Sequence, residues 1–143
     1  ADIEGTFDCI TMLDVIEHVP DPRSEIERAA SLLPVGGILV INTPDVGSVF
    51  ARMLGKRWHL IVPPEHLHYF SRRTMQRLLE ECGFEVQEVT TIGKSFTTSY
   101  ILKTLYKWTR LGVFNRMASM SSRISFAIPI NLYDNMFILA RKN

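Results

Sequence analysis

Short unbroken runs of apolar residues, bounded by turn residues, recur along the chain and predict strands. Residues 7–13 (FDCITML) and 38–41 (ILVI) are two such runs. Runs of this kind are typical of strands buried on both faces of a parallel sheet, and we expect that placement for residues 7–13. Residues 84–89 alternate apolar with polar and predict a third strand, and Asn135–Lys142 predicts a fourth.

Apolar positions at helical spacing lie between these strands. One helix is predicted to begin at Asp21 and Pro22 and another at Ser71, because these residues suit the first positions of a helix. The apolar stripes of the two helices are Ile26, Ala29, Ala30, Leu33 and Met75, Leu78, Leu79, Cys82. A short helix follows Ser48, and the proline-interrupted residues 58–70 predict an ordered loop. Strands alternating with helices indicate a Rossmann-like, doubly wound α/β sheet.

Composition is that of one ordinary globular domain. The chain has 143 residues, of which 46% are hydrophobic and 22% charged, which excludes disordered, collagen-like and disulfide-rich proteins. Cys9 and Cys82 stand in apolar surroundings and are predicted to be buried thiols of a reducing compartment. We find no signal peptide pattern and no apolar stretch of roughly 18 residues, so we predict a cytoplasmic protein.

Charge is distributed unevenly between the two parts of the chain. Residues 1–93 carry a formal charge of −6 and residues 94–143 carry +7. Residues 95–132 predict a helical insertion, two helices broken near Gly112 and again around residues 120–125, between the sheet segments 1–94 and 133–143. Residues 99–111 form an amphipathic stretch with a cationic side, which suits peripheral membrane contact, a lid over an acceptor, or packing on the sheet. We expect no nucleic-acid partner, because the basic residues follow no known module.

Three segments are expected beyond the carboxyl ends of the strands, where open α/β sheets bind ligands. They are residues 13–21, 43–47 and 58–70, and they overlap the stretches FDCITMLDVIEHVPDP, LLPVGGILVINTPD and PPEHLHYFSRRTMQRLLEECGFEV. In this order and spacing they resemble the C-terminal half of the class I S-adenosylmethionine-dependent methyltransferases, and are most similar to the small-molecule group that includes the ubiquinone-biosynthesis O-methyltransferases. The resemblance covers residues 7–89, and the last predicted strand fits the antiparallel closing strand of that seven-stranded fold.

This resemblance implies S-adenosylmethionine as cofactor, with the backbone of Leu13, Asp14 and Val15 along it. The family's glycine-rich loop and ribose-binding acid have no counterpart in the 143 residues. We therefore expect the chain to be the C-terminal part of a longer protein. The strand at residues 7–13 would then have an open edge, which could pair with a second copy of the chain or with further residues.

Glu17 and His18 are the candidate catalytic residues. On a helical turn over residues 15–19, Asp14, Glu17 and His18 would project to one side, and two carboxylates with an imidazole suit acid/base chemistry or a divalent metal. The same three residues match an acid-x-x-Glu-His arrangement that the resemblance associates with magnesium. The alternative is that His18 packs structurally and both acids are solvated.

The loop at residues 58–70 supplies the candidates for the acceptor side. By resemblance to a Glu-His-x-x-x-Phe segment that lines the acceptor pocket, the substrate-binding candidates are Trp58, His66, His68 and Tyr69, with core packing as the alternative for Tyr69. A zinc site from Glu65, His66, His68 and His59 is not favoured, because one short loop rarely closes a tetrahedral site.

The sequence thus predicts methyl transfer to an oxygen or nitrogen atom of a small or lipid-linked acceptor, within a longer protein. The alternative is a non-catalytic α/β fragment or interaction module derived from the same fold. A nucleotide-dependent oxidoreductase fits less well, because its glycine fingerprint is equally absent from the sequence.

Overall fold

A computed structural model describes residues 5–121 and 126–143, without the side chains of residues 94–96, 121 and 127–130. The chain divides into two compact units. The first runs to Ile92 and resumes at Tyr133–Asn143, and the second is Gly93–Leu132. Each unit is described by itself.

Within residues 5–121 and 126–143, six strands form two sheets. They are β1 (Cys9–Leu13), β2 (Ile38–Pro44), β3 (Phe84–Thr90), β4 (Lys94–Thr97), β5 (Ala127–Ile130) and β6 (Asn135–Lys142). The sheet of the first unit has the order β1-β2-β6-β3, with β1 parallel to β2 and β6 antiparallel to both of its neighbours. Because β1 and β2 run in parallel, with Leu13 opposite Asn42, their carboxyl ends lie at the same end of the sheet.

The helices are α1 (Pro22–Leu32), α2 (Val49–Leu54), α3 (Arg72–Glu81), α4 (Thr98–Thr109) and α5 (Gly112–Ser121), with a 3₁₀ turn at Gly55–Arg57. The predicted starts of α1 and α3 are confirmed. Asp21 accepts hydrogen bonds from the backbone N–H groups of Arg23 and Ser24. Ser71 forms a capping box with Thr74, in which each side chain bonds the other residue's backbone N–H.

The core of the first unit lies between the sheet and the apolar stripes of α1 and α3. Four apolar residues are buried as their spacing predicts: Ile26 of α1, Leu33 at the C-cap of α1, and Met75 and Leu79 of α3. The strand residues buried with them are Leu39, Ile41, Phe84, Met136, Ile138 and Ala140. This packing holds the carboxyl ends of β1 and β2 on a rigid base.

The predicted burial of β1 on both faces is wrong. Cys9, Thr11 and Leu13 are exposed, while Ile10 and Met12 are half-buried. The physical reason is that β1 is an edge strand, paired only with β2 among the described residues. The prediction of a buried Cys9 thiol fails for the same reason. Cys82 is half-buried, and burial raises the pKa of its thiol.

The second unit contains the two predicted helices, α4 and α5, packed against each other. They are separated at Arg110, whose φ of 59° ends α4 in the left-handed conformation. The antiparallel pair of β4 and β5 was not predicted. The second predicted break begins where α5 ends at Ser121, and residues 122–125 lie outside the described residues. None of the described helices is long and apolar enough to cross a membrane.

Candidate functional site

The carboxyl end of β1 is held against the end of β2 by one amino acid from each strand. Asp14 adopts a φ of 52°, a conformation that Asp tolerates better than most residues, and its backbone N–H donates to the carbonyl of Asn42 at 2.9 Å. The amide Nδ2 of Asn42 in turn donates to Asp14 Oδ1 at 2.9 Å. The neighbours Leu13 and Val15 are 54% and 44% exposed, so two apolar side chains and a turned backbone stand open at this strand end.

The chain turns directly after β1 and sends its next residues in different directions. The backbone N–H of His18 donates to the carbonyl of Val15 at 2.9 Å, which closes a single turn. Ile16 and Glu17 are buried, whereas Asp14 and His18 are exposed. The predicted shared side for Asp14, Glu17 and His18 is therefore corrected: Glu17 points inward and Asp14 is tied to Asn42.

Glu17 is a buried carboxylate with a specific partner. Its Oε2 accepts a hydrogen bond from Thr43 Oγ1 at 2.9 Å, and Thr43 is also buried. The backbone carbonyl of Glu17 accepts from the N–H groups of Leu67 and His68 at 2.8 and 3.1 Å. Glu17 therefore joins the turn after β1 to β2 through its side chain and to the 58–70 loop through its backbone.

The imidazole of His18 is fixed in one tautomer. Its Nδ1 lies 2.7 Å from the backbone carbonyl of Glu65, and because a carbonyl oxygen only accepts, Nδ1 must carry the proton. In the neutral ring Nε2 then holds the free lone pair. This Nε2 lies 3.9 Å from Glu17 Oε1, and 40% of the His18 side chain is exposed. A basic nitrogen beside a buried carboxylate is suited to accepting a proton.

His66 completes the cluster from the loop side. Its ring meets that of His18 edge to face, with centroids 4.8 Å apart. Within the described residues, His66 Nδ1 is buried without a hydrogen-bond partner. One ligand atom from each of Glu17, His18 and His66 lies within 4.8 Å of the others. The structure thus groups Glu17 and His18 with His66, where the sequence grouped them with Asp14.

The Glu17–His18–His66 cluster does not suit the magnesium ion that the resemblance associates with Asp14, Glu17 and His18. Magnesium prefers an octahedral shell of oxygen atoms, whereas this cluster offers one carboxylate and two imidazoles. The orphaned Nδ1 of His66 would suit a transition metal better than magnesium. The metal set of Asp14, Glu17 and His18 stays a prediction.

The remaining loop candidates have distinct surroundings. His68 places Nε2 3.3 Å from the carbonyl of Pro20 and stacks on Phe70. The exposed ring of Tyr69 lies with its centroid 6.1 Å from that of His66. Trp58 is only 1% exposed. Tyr69 therefore lies beside the cluster, and the His68 ring lies against Pro20 and Phe70. The roles of Trp58, His66, His68 and Tyr69 in binding a substrate stay predictions.

Trp58 belongs to a second buried polar group that the sequence did not indicate. Its Nε1 donates to Asp134 Oδ2 at 2.9 Å, and His59 Nε2 lies 3.7 Å from the same oxygen. Asp134 directly precedes β6 and is buried. The sequence shows that Asp134 is the single acid in residues 94–143. This observation singles Asp134 out, but it predicts neither its burial nor its partners.

Thr43 was also missed as a site residue. It lies near the end of β2 within an Asn-Thr-Pro-Asp stretch, whose residue types are typical of a turn. The structure instead extends β2 to Pro44 and turns the Thr43 hydroxyl onto Glu17. Position at the carboxyl end of a strand was the signal that could have found it.

Known proteins match both the sequence and the fold. Residues 1–89 match the family described as "Methyltransferase domain". The ubiquinone biosynthesis O-methyltransferase of Marinobacter nauticus is 33% identical over 92 residues, which is 60% of this chain and 39% of that protein. The protein of the same name from Vibrio parahaemolyticus is 25% identical over 121 residues, which is 73% of this chain and 52% of that protein. The chain therefore spans about half or less of these relatives.

Two solved structures share the fold at low sequence identity. A SAM-dependent methyltransferase from Thermotoga maritima has a TM-score of 0.56 and 21% identity, over 97% of this chain and 57% of that one. The magnesium protoporphyrin IX methyltransferase of Synechocystis, solved with bound SAH, has a TM-score of 0.54 and 15% identity, over 99% and 47% of the two chains. At this identity the likeness concerns the fold alone.

Proposed function

Since the chain belongs to the methyltransferase domain family, we propose that it takes part in S-adenosylmethionine-dependent methyl transfer to an oxygen or nitrogen atom of a small or lipid-linked acceptor. Oxygen is favoured, because the relatives with 33% and 25% identity are named O-methyltransferases. The observation that carries the proposal is the basic Nε2 of His18, left free by the Nδ1 bond to Glu65 and set beside the buried Glu17.

The end of β1 is the proposed flank for the cofactor. When bound, S-adenosylmethionine supplies an activated methyl group on a sulfonium. Leu13 and Val15 offer exposed apolar surface there, and the left-handed Asp14 turns the backbone between them. Because Asp14 is locked to Asn42 through two hydrogen bonds, this surface is held in place before any ligand arrives.

His18 is the proposed general base. Its Nε2 would accept the proton of the acceptor hydroxyl while the acceptor oxygen bonds to the methyl carbon, whose bond to the sulfonium sulfur would break and leave S-adenosylhomocysteine as the neutral thioether product. The imidazolium that results lies beside the Glu17 carboxylate, whose negative charge stabilises it. Thr43 fixes the other carboxylate oxygen and so keeps Oε1 toward the ring.

The 58–70 loop is the proposed acceptor side. The backbone N–H groups of Leu67 and His68 donate hydrogen bonds to the carbonyl of Glu17. These bonds hold the loop beside the proposed base. His66 and Tyr69 supply ring faces beside His18, and His68 lies next to Phe70. Flat aromatic rings suit an aromatic acceptor, because offset and edge-to-face ring contacts are favourable.

Transfer of a labelled methyl group from S-adenosylmethionine to simple phenols and amines, catalysed by the longer protein that is expected to contain this chain, tests the proposal. Replacement of the base, His18→Asn, is expected to lower kcat by about 10² to 10⁴, the usual contribution of general base catalysis. Glu17→Gln is expected to lower kcat less, because it removes only the charge beside the base. The matched control is Glu80→Gln, an exposed glutamate on α3 that bonds Gln76. Equal rates for His18→Asn and the unchanged protein would contradict the proposal.

A further inference from the structure

The second unit has a charge that methyl transfer does not require. Gly93–Leu132 contains six lysines and arginines and no aspartate or glutamate. It begins after residue 89, where the match to the methyltransferase family ends. Its surface chemistry therefore calls for a separate explanation.

One face of α5 exposes apolar side chains. Val113, Met117 and Met120 recur at i, i+4 and i+7, so they form one stripe of the helix, and they are 56%, 48% and 72% exposed. Leu111, directly before the helix, is 56% exposed. These four residues are called the apolar ridge. The opposite side of α5 is occupied, because Ala118 is buried and its carbonyl accepts from Ser99 of α4 at 3.4 Å.

The neighbouring helix α4 exposes cations instead. Lys103, Lys107 and Arg110 also recur at i, i+4 and i+7, and all three are exposed. We call them the cationic stripe. Arg116 of α5 is exposed as well, three residues after Val113 of the apolar ridge. Two packed helices thus present an apolar ridge on one and a row of cations on the other.

We propose that the second unit docks on the surface of an anionic lipid bilayer, with the apolar ridge entering the headgroup boundary and the cationic stripe meeting the lipid phosphates. Apolar side chains grouped in one exposed stripe are typical of a contact surface. The six lysines and arginines of this unit, with no aspartate or glutamate, make it complementary to an anionic surface. An anionic bilayer accounts for both the apolar ridge and the cationic stripe, since interfacial helices combine insertion of apolar side chains with attraction of lysine and arginine to anionic headgroups.

Flotation of the 143-residue chain with lipid vesicles tests the proposal. One vesicle is phosphatidylcholine alone, and the other contains phosphatidylglycerol as well. The chain is expected to float with the anionic vesicles and to remain behind with the neutral ones, and high salt is expected to release it.

Three sets of substitutions at exposed positions separate the contribution of the cations to vesicle binding from that of the apolar ridge. Lys103→Gln, Lys107→Gln and Arg116→Gln together are expected to lower the partition coefficient about a hundredfold. Met117→Gln with Met120→Gln is expected to lower it about tenfold, because two apolar side chains no longer leave water. The control removes the same charge elsewhere: Arg28→Gln, Lys56→Gln and Arg73→Gln are exposed in the first unit and are expected to change binding little. Circular dichroism verifies that each variant is folded.

Other results would overturn the proposal. Failure to bind anionic vesicles, equal binding to neutral vesicles, or equal loss in the control set would each remove it. Sedimentation velocity supplies a further check. If the chain forms a dimer that Met117→Gln with Met120→Gln dissociates, and if the chain does not bind vesicles, the apolar ridge is a contact surface for a second copy of the chain.

Discussion

Both units expose some large apolar side chains, but the first unit also has an apolar core and buried acids with hydrogen-bond partners, whereas in the second unit Ala118 is the one buried apolar residue among those described and the sequence contains no acid. Ile138 and Leu79 of the first unit are completely buried, and Glu17 and Asp134 inside it have hydrogen-bond partners. In the second unit Met120 is largely exposed, and Ala118 is buried. The contrast indicates that the first unit is built around an internal site and the second around its outer surface.

This contrast also follows the family match. The matched residues 1–89 contain β1, β2, α1, α3 and the Glu17–His18–His66 cluster. The second unit lies after them. A fold that must hold reacting groups within tenths of an ångström needs dense packing, and a surface that meets a fluid bilayer does not.

The largest effect is expected from opening a cavity in the first unit. Ile138 lies at the centre of β6, between β2 and β3, so Ile138→Ala is expected to cost about 2–5 kcal/mol of unfolding free energy. Met120→Ala in the second unit is expected to stay within about 0.5 kcal/mol, as for an exposed position. Urea denaturation measures both, and equal costs would remove the contrast between the units.

A smaller effect is expected at the buried Asp134. Asp134→Ala leaves the indole N–H of Trp58 buried without its acceptor, which is expected to cost about 1–3 kcal/mol. The same substitution in a Trp58→Phe background is expected to cost less, because the orphaned donor is gone. An identical cost in both backgrounds would show that the Trp58–Asp134 bond does not stabilise the first unit.

Loss of the Thr43 hydroxyl, which positions Glu17, is expected to lower kcat about tenfold, equivalent to about 1.4 kcal/mol. Thr43→Val keeps the shape of the side chain and removes the hydroxyl that donates to Glu17 Oε2. Thr43→Ser retains the hydroxyl and is expected to restore most of the rate. A Thr43→Ser variant as slow as Thr43→Val would indicate that packing, and not the hydrogen bond, is what Thr43 contributes.

The smallest effect is expected from a surface ion pair between α1 and α3. Hydrogen bonds from Arg77 and Arg23 hold the pKa of Glu81 below its ordinary value of 4.5. Its stabilising contribution is therefore present above that value and is lost as pH falls through the lowered pKa. Glu81→Gln should reduce the decline of the urea midpoint below pH 4.5 only slightly, because the group is exposed. A large change would indicate a stronger link between the helices.

Local patterns in the sequence predicted much of the first unit. Caps at Asp21 and Ser71 and the apolar stripes behind them located α1 and α3, since those signals act within a few residues. The methyltransferase family was predicted from three motifs in order, and this prediction is confirmed. The exposure of Cys9 was missed because the apolar run at residues 7–13 was expected to be buried on both faces, although the resemblance implied an open edge for this strand.

Contacts between distant residues could not be predicted in the same way. His66 meets His18 across 48 positions of the sequence, and Trp58 meets Asp134 across 76. The strands β4 and β5 were missed because each has only four residues, and β5 contains a proline, which usually argues against a strand. Their pairing is evident only in three dimensions.

Methyl transfer to a series of phenols of increasing acidity is the most direct measurement of the proposed role of His18. As the hydroxyl becomes more acidic, it needs the base less, so the ratio of kcat between the unchanged protein and His18→Asn should fall along the series, from about a hundredfold or more toward unity. A ratio that stays constant across the series, or that equals one from the start, would contradict the assignment of His18 Nε2 as the proton acceptor.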